Sequence, residues 1–249
     1  MKNAYDPQQG QTLTDHLTEL RIRLIKSFWA IIGFSVICWI FNEEIFAFVR
    51  DPILPLLPSG GLIFTSPSDK FMVSVKLAIL GGVVFSCPVW LYQVWRFVAP
   101  GLYKHERKYG LLFIGSGTAL FAVGLGFAYF LAIPTALKFL LEFGGATDKP
   151  LITIKEYMSF FMTMTLVFGA AFELPLVIVI LGAMGILSQE TLRKNRRYAV
   201  VILAIMSALL TPPDVLSMAV LLVPMWALFE ISVLIVGIVA RPAQVESKV

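Results

Sequence analysis

Six long apolar segments constrain the fold of this chain more than any other feature. They hold only five of its 20 basic and 16 acidic residues. A helix needs about 20 apolar residues to cross a bilayer, whereas the strands of a membrane barrel alternate in polarity over about 10 residues. The pattern therefore predicts an all-α membrane protein with six transmembrane helices, at residues 24–41, 71–97, 110–133, 157–183, 198–210 and 215–239.

The overall composition supports this class. The chain is 58% hydrophobic and 14% charged, against about 45–50% and about 25% in soluble domains. This excludes a soluble enzyme, a disordered chain and a disulfide-stapled secreted domain. The longest segment between spans, residues 42–70, is too short for a separate domain. We therefore expect a single polytopic membrane domain over residues 1–249.

The basic residues predict the orientation of the spans. If the N-terminus is cytoplasmic, 14 of the 20 basic residues lie in or beside the segments on the cytoplasmic side. This is the distribution of the positive-inside rule, so the net charge of +4 does not indicate nucleic-acid binding. We expect a prokaryotic plasma (inner) membrane with both termini cytoplasmic.

The sequence also predicts the structure of several segments outside or within the spans. Residues 12–23 read as an amphipathic interfacial helix that runs into span one, with Thr12 and Asp15 as a capping box. Residues 42–70 are apolar and proline-punctuated, which suggests a cap on the outer face, and a second outer loop, 134–156, opens at a proline. The spacing of Gly124 and Ala128 favours close helix packing.

The span lengths predict an open, concave arrangement rather than a sealed bundle. Spans two and four have 27 residues each and contain Pro88 and Pro175, which should bend or break them. Span five has only 13 residues and reaches about 20 Å. We therefore expect spans five and six to form a short hairpin.

Three carboxylates stand out from this scaffold. Glu173 lies well inside span four, and an ionisable group at membrane depth is costly and by default marks a functional site. Glu106 and Glu19 lie among basic residues on the inner side. Two carboxylates can bind a pair of guanidinium groups through planar, charge-assisted hydrogen bonds. The structural alternatives are, for Glu173, a carboxyl that hydrogen-bonds to carbonyls freed at Pro175 and, for the loop that contains Glu106, a positive-inside stop signal.

No metal or cofactor site is predicted. Cys38 and Cys87 lie inside spans and are expected to be free packing residues. The two histidines, His16 and His105, belong to no metal-ligand motif.

The chain resembles the TatC family, the multispanning receptor subunit of the twin-arginine protein translocase. The resemblance covers about residues 12–232 and is most specific in the run from Tyr92 to Arg107. One departure is Met218, where the family pattern has a polar residue. The matching stretches occur in family order at His16–Arg21, Cys87–Arg107, Phe127–Phe130, Phe172–Pro175 and Leu210–Val215.

The resemblance implies a function that composition does not show. Such proteins bind the twin-arginine signal peptides of folded precursors, assemble with single-span TatA/TatB-type subunits in an oligomeric complex, and use the proton-motive force. They are not enzymes and need no cofactor. The roles it implies are arginine acceptors (Glu19, Glu106), neighbours of that site (Arg21, Phe97), an intramembrane contact for the signal peptide or a partner helix (Glu173), and outer-side positions (Pro52, Tyr129, Asp214).

Two other functions compete with this interpretation. A proton-coupled small-solute transporter could use Glu173 as its proton carrier, but spans one, three and five offer no charge beyond Lys26. An intramembrane protease would need a nucleophile and a base, or metal ligands, at membrane depth. No histidine and no pair of acids lies within a span.

Overall fold

The computed structural model describes residues 13–57, 61–101, 110–143, 151–211 and 214–239, and nearly all of them are helical. Successive helices form a mostly antiparallel array. We call the end where α1 begins and α4 ends the basic end, and the opposite end the cap end. The helices are α1 Leu13–Ile40, α2 Asn42–Arg50, α3 Asp69–Phe85, α4 Cys87–Val98, α5 Gly110–Phe127, α6 Ile133–Phe143, α7 Ile154–Phe172, α8 Leu174–Ala183, α9 Gln189–Lys194, α10 Arg196–Leu210 and α11 Val215–Val239.

The helix lengths fit a multi-pass membrane protein. In the described part of the chain, four helical runs are long and apolar enough to cross a bilayer: His16–Ile40, Gly110–Glu142, Ile154–Ala183 and Val215–Ile238. The bent pair α3 and α4 makes a fifth if it counts as one span. Helix α10 has 15 residues, or about 22 Å, which is short for a hydrocarbon core of about 30 Å. The sixth crossing therefore stays a prediction. Spans five and six were expected to form a short hairpin, but only α10 is short, because α11 has 25 residues.

The two predicted proline breaks are confirmed. Helices α3 and α4 meet at Ser86 with a bend of 54°, and Glu173 separates α7 from α8. Pro88 and Pro175 each lie in the first turn of the second helix. A proline is tolerated there because its missing N–H has no intrahelical acceptor to lose.

As expected, the amphipathic segment runs into span one, and the two form one continuous helix, α1. Thr12 of the capping box lies outside the described residues. One boundary differs from the sequence-based expectation. The expected outer loop does not begin at Pro134, since the chain remains helical to Phe143. A π-helical turn at Ala128–Ala132 precedes α6, and Pro134 is the second residue of α6. At that position its missing N–H costs little.

Residues 42–57 pack as a cap, as expected. Val49 and Ile53 are buried in the main hydrophobic core. Beyond them, Ile63 and Thr153 form a single parallel β-bridge, with the Ile154 N–H donating to the Ile63 carbonyl at 2.8 Å. The cap end is thus tied to the start of α7.

Close packing of α5 against α7 confirms the small-residue signal. A Cβ at Gly124 would lie 2.7 Å from the Phe168 carbonyl oxygen and 2.9 Å from the Phe172 Cβ. Ala128 is also buried. Glycine is therefore required here for the two backbones to approach each other.

Candidate functional site

The first candidate region lies at the basic end, between α1 and α4. The Glu19 Oε1 accepts a hydrogen bond from Arg23 Nη2 at 2.7 Å, one helical turn away. The Arg23 Nη1 donates to Gln93 Oε1 of α4 at 3.4 Å. The Glu19 and Arg23 side chains are 23% and 14% exposed. Glu19 is thus a half-buried carboxylate that already holds one guanidinium group.

An aromatic contact joins the same two helices. The rings of His16 and Phe97 stack with centroids 4.3 Å apart. This contact joins the first turns of α1 to the end of α4. Arg21 is exposed on α1. Glu106, the predicted second acceptor, lies outside the described residues, as does His105.

The Glu19 pair borders two adjoining open crevices. One, of about 370 Å³, is lined by Thr18, Glu19, Ile22, Arg23, Lys26 and Arg96. The other, of about 390 Å³, is lined by Glu19, Arg23, Tyr92, Trp95, Arg96, Ala99 and Pro100. Both are open and amphipathic, which suits a peptide segment or a headgroup at a membrane interface.

Three of these residues were missed by the sequence analysis. Arg23 could have been found, since an acid and a base at i, i+4 on a helix commonly pair. Gln93 and Tyr92 belong to the run that carries the resemblance, but the sequence did not indicate their position beside α1, because that depends on how two helices distant in sequence pack.

The second candidate region surrounds Glu173, between α7 and α8. The residue is 8% exposed, and neither carboxylate oxygen has a hydrogen-bond partner among the described residues. A Cβ at Gly117 of α5 would lie 3.3 Å from Oε2 and 3.0 Å from both Leu91 and Leu176. The carboxylate therefore faces a glycine in an otherwise tight, apolar environment.

This environment argues against the structural alternative and the transporter. A protonated carboxyl could donate a hydrogen bond to a carbonyl freed at Pro175, but neither oxygen of Glu173 has such a partner among the described residues. A solute site needs several convergent polar groups, whereas the side chains that surround Gly117 together with Glu173 are Leu91 and Leu176. A buried carboxylate without a partner is costly, and one kept at membrane depth is typical of function.

The outer-side residues have structural roles. The Tyr129 ring stacks on Phe48 at 4.3 Å, and its hydroxyl donates to the Phe48 carbonyl at 3.0 Å. Pro52 is half-buried in the turn that leads from α2 to Ile53. Tyr157, which the sequence analysis missed, donates from its hydroxyl to the adjacent Val49 carbonyl at 2.5 Å. Tyr157 thus satisfies the Val49 carbonyl at the end of α2, whereas Tyr129 is a second donor to the Phe48 carbonyl, which also accepts from the Asp51 N–H at 3.3 Å.

Asp214 caps α11. Its Oδ1 accepts a hydrogen bond from the Ser217 N–H at 2.6 Å, and its carbonyl accepts from the Met218 N–H at 3.2 Å. Met218 is half-buried in the first turn of α11. The Asp214 side chain thus fixes the start of this helix.

Sequence-based expectations also concern the cysteines and the metal-ligating side chains. Cys38 and Cys87 are free and buried, as expected. No group of three or more metal-ligating side chains occurs within the described segments.

Comparison with known proteins identifies a family and relatives that this chain resembles over most of its length. The model of the family "Sec-independent protein translocase protein (TatC)" matches residues 15–224. The Sec-independent protein translocase protein TatC of Escherichia coli (strain K12) is 41% identical over 227 residues, covering 91% of this chain and 88% of its own length. The protein of the same name from Desulforapulum autotrophicum is 38% identical over 229 residues, covering 91% and 84%.

Two solved structures share the fold. A crystal structure of the twin arginine translocase receptor TatC superposes with a TM-score of 0.78 at 35% identity, covering 91% of this chain and all of that chain. A second crystal structure of that receptor, in DDM, gives a TM-score of 0.79 at 36% identity, covering 88% and 98%.

Proposed function

The chain belongs to the TatC family of Sec-independent protein translocase proteins, and we propose that it is the receptor subunit that binds twin-arginine signal peptides of folded precursors. It acts by binding and assembly rather than by catalysing a reaction. The observation that carries this proposal is the half-buried Glu19 carboxylate, which already accepts a hydrogen bond from a guanidinium group at 2.7 Å.

Glu19 has the capacity for a second guanidinium. Its Oε1 is engaged by Arg23, and Oε2 has no partner among the described residues. A carboxylate offers about four lone-pair positions and pairs with arginine in a planar, bidentate way. One arginine of the peptide can therefore bind beside Arg23 or displace it.

The second arginine of the peptide requires a second acceptor, and we assign this role to Glu106 by its match to the family pattern. Phe97 and Arg21 flank the site. The ring of Phe97 is held by His16, so it offers an ordered apolar surface next to the acidic site.

Glu173 has a different role in this proposal. It faces the signal-peptide hairpin or a helix of a single-span TatA/TatB-type partner inside a concave groove, within an oligomeric complex. A partner side chain that donates a hydrogen bond would relieve the unpaired carboxylate. Transport is then driven by the proton-motive force across a prokaryotic inner membrane, with both termini cytoplasmic.

Site-specific photocrosslinking tests the location of the peptide. A photoreactive residue at Thr18, which lines the crevice, should crosslink a twin-arginine signal peptide and not its twin-lysine counterpart. A photoreactive residue at Leu151, exposed at the cap end, serves as the control. Equal crosslinking of both peptides at Thr18, or crosslinking at Leu151 alone, would refute the proposed location.

A further inference from the structure

We propose that the crevice between α1 and α4 also binds the phosphate headgroup of an anionic phospholipid, through Lys26 and Arg96. The inference goes beyond the receptor function, since it assigns a lipid to residues that have no role in peptide recognition. It rests on the charge balance of the crevice, the orientation of Arg96 and the apolar surface of α1 beside the two basic residues.

The charge balance leaves two cations uncompensated. Within the crevice, Arg23 neutralises Glu19. Lys26 and Arg96 line the same crevice, and neither has a carboxylate within ion-pair distance in the part of the chain that the structure describes. Two like charges around one crevice repel each other, and a bound anion relieves this repulsion.

Arg96 is oriented for binding. Its Nη1 donates to the Tyr92 hydroxyl at 3.2 Å, and its guanidinium carbon lies 5.7 Å from the centre of the Tyr92 ring. The remaining N–H groups of the guanidinium form a planar fork that matches two phosphate oxygens. Lys26 adds a point charge from the facing helix.

The surroundings favour a lipid over a soluble anion. Ile22, Ile25, Phe28 and Trp29 of α1 are each 45–65% exposed. Only 6% of the most apolar part of this span is buried. The two cations thus lie beside a large apolar surface that acyl chains can cover. Tyr92 also lines the adjoining crevice, and tyrosine is enriched in the headgroup region. Basic pockets between helices bind anionic headgroups.

Native mass spectrometry of the delipidated full chain in nonionic detergent tests the proposal. Phosphatidylglycerol and phosphatidylcholine are titrated separately, and the fraction of protein with one retained lipid is measured. We expect at least a tenfold preference for phosphatidylglycerol. The double variant Lys26→Gln/Arg96→Gln should lose most of this preference.

The matched control is Lys194→Gln/Arg197→Gln, which removes the same two charges from an exposed position at the basic end. It should bind phosphatidylglycerol as the wild type does. An equal loss of the phosphatidylglycerol preference in both double variants would mean that only the total charge of the protein matters, and it would overturn the proposal. Displacement of phosphatidylglycerol by millimolar inorganic phosphate would indicate a soluble-anion site and would also overturn it.

Folding and peptide binding are checked separately. If the double variant unfolds at a lower temperature, Lys26→Gln alone, which removes no contact of Arg96, must still weaken phosphatidylglycerol binding. The lipid assay contains no peptide, so its failure leaves the receptor function untouched. Conversely, a failure of peptide binding would not alter the expected lipid preference.

Discussion

The carboxylate of Glu19 accepts a hydrogen bond from the guanidinium group of Arg23, with Oε1 and Nη2 2.7 Å apart. The pair is not a simple surface ion pair, because Arg23 also reaches Gln93 of α4. The chain therefore holds in place, by its own arginine, the carboxylate that we propose for an arginine of the signal peptide. Arg23 is both a support for Glu19 and a competitor for it.

The first prediction separates these two roles. In Arg23→Gln, Glu19 loses its internal partner and a positive charge leaves the crevice, so a twin-arginine peptide should bind about threefold to tenfold more tightly, or about 1 kcal/mol. Fluorescence anisotropy of a labelled peptide with the purified protein measures this. Lys26→Gln, which removes a charge from the same crevice without freeing Glu19, should have a smaller effect. Weaker binding in Arg23→Gln would mean that Arg23 mainly orients Glu19.

The second prediction concerns Glu173. Glu173→Gln keeps the shape of the side chain and removes its charge. We expect peptide affinity within about twofold of wild type but transport reduced about tenfold or more, since an intramembrane carboxylate kept at this cost is functional. Peptide anisotropy and translocation into inverted membrane vesicles provide the two readouts.

The matched control for Glu173 is Glu142→Gln, an exposed carboxylate near the end of α6. It should change neither readout. If Glu173→Gln abolished peptide binding while its thermal unfolding stayed normal, Glu173 would belong to the recognition site rather than to a later step.

The third prediction concerns the cap. Tyr157→Phe leaves the buried Val49 carbonyl without its donor, which should lower the free energy of unfolding by about 1–3 kcal/mol. Tyr129→Phe removes a more exposed bond, to Phe48, whose carbonyl also accepts from the Asp51 N–H. Water can replace the lost donor there, so the cost should stay below about 1 kcal/mol. Denaturant unfolding in detergent compares the two, and equal losses would contradict a buried role for Tyr157.

The fourth prediction tests the packing of α5 on α7. Gly124→Ala should destabilise the chain by about 1–3 kcal/mol, because the added Cβ meets the Phe168 backbone and overpacks the contact. Gly115 lies in the same helix, but a Cβ added there would have no atom of another residue within 4 Å. Gly115→Ala should therefore be neutral or stabilising by up to about 1 kcal/mol. Similar thermal stabilities for the two variants would contradict this account of the interface.

Much of this architecture follows from local sequence. Pro88 and Pro175 located the two helix breaks, because proline is disfavoured in a helix interior and is tolerated in the first turn of a helix. Pro134 was wrongly expected to begin a loop, whereas the helix continues past it. The π-helical turn before it depends on packing rather than on the proline itself. The amphipathic segment was correctly expected to run into span one, since α1 is continuous from Leu13 to Ile40.

The candidate site was predictable in part. Glu19 and Glu173 stood out because acids are rare in basic and apolar surroundings. Gln93 and Tyr157 carried no such signal. Their importance comes from contacts that span 70 residues or more of sequence, from Arg23 to Gln93 and from Tyr157 to Val49 in the cap. Such contacts are set by the tertiary arrangement of the helices.

The most direct test of the central claim is a thermodynamic cycle between Glu19 and the peptide arginines. Affinities are measured for the wild type and Glu19→Gln, each with a twin-arginine and a twin-lysine peptide. We predict that Glu19→Gln weakens twin-arginine binding about tenfold but twin-lysine binding less than about threefold, because only a guanidinium pairs with the carboxylate in a bidentate way. An equal loss for both peptides would contradict the account and reduce Glu19 to a general negative charge.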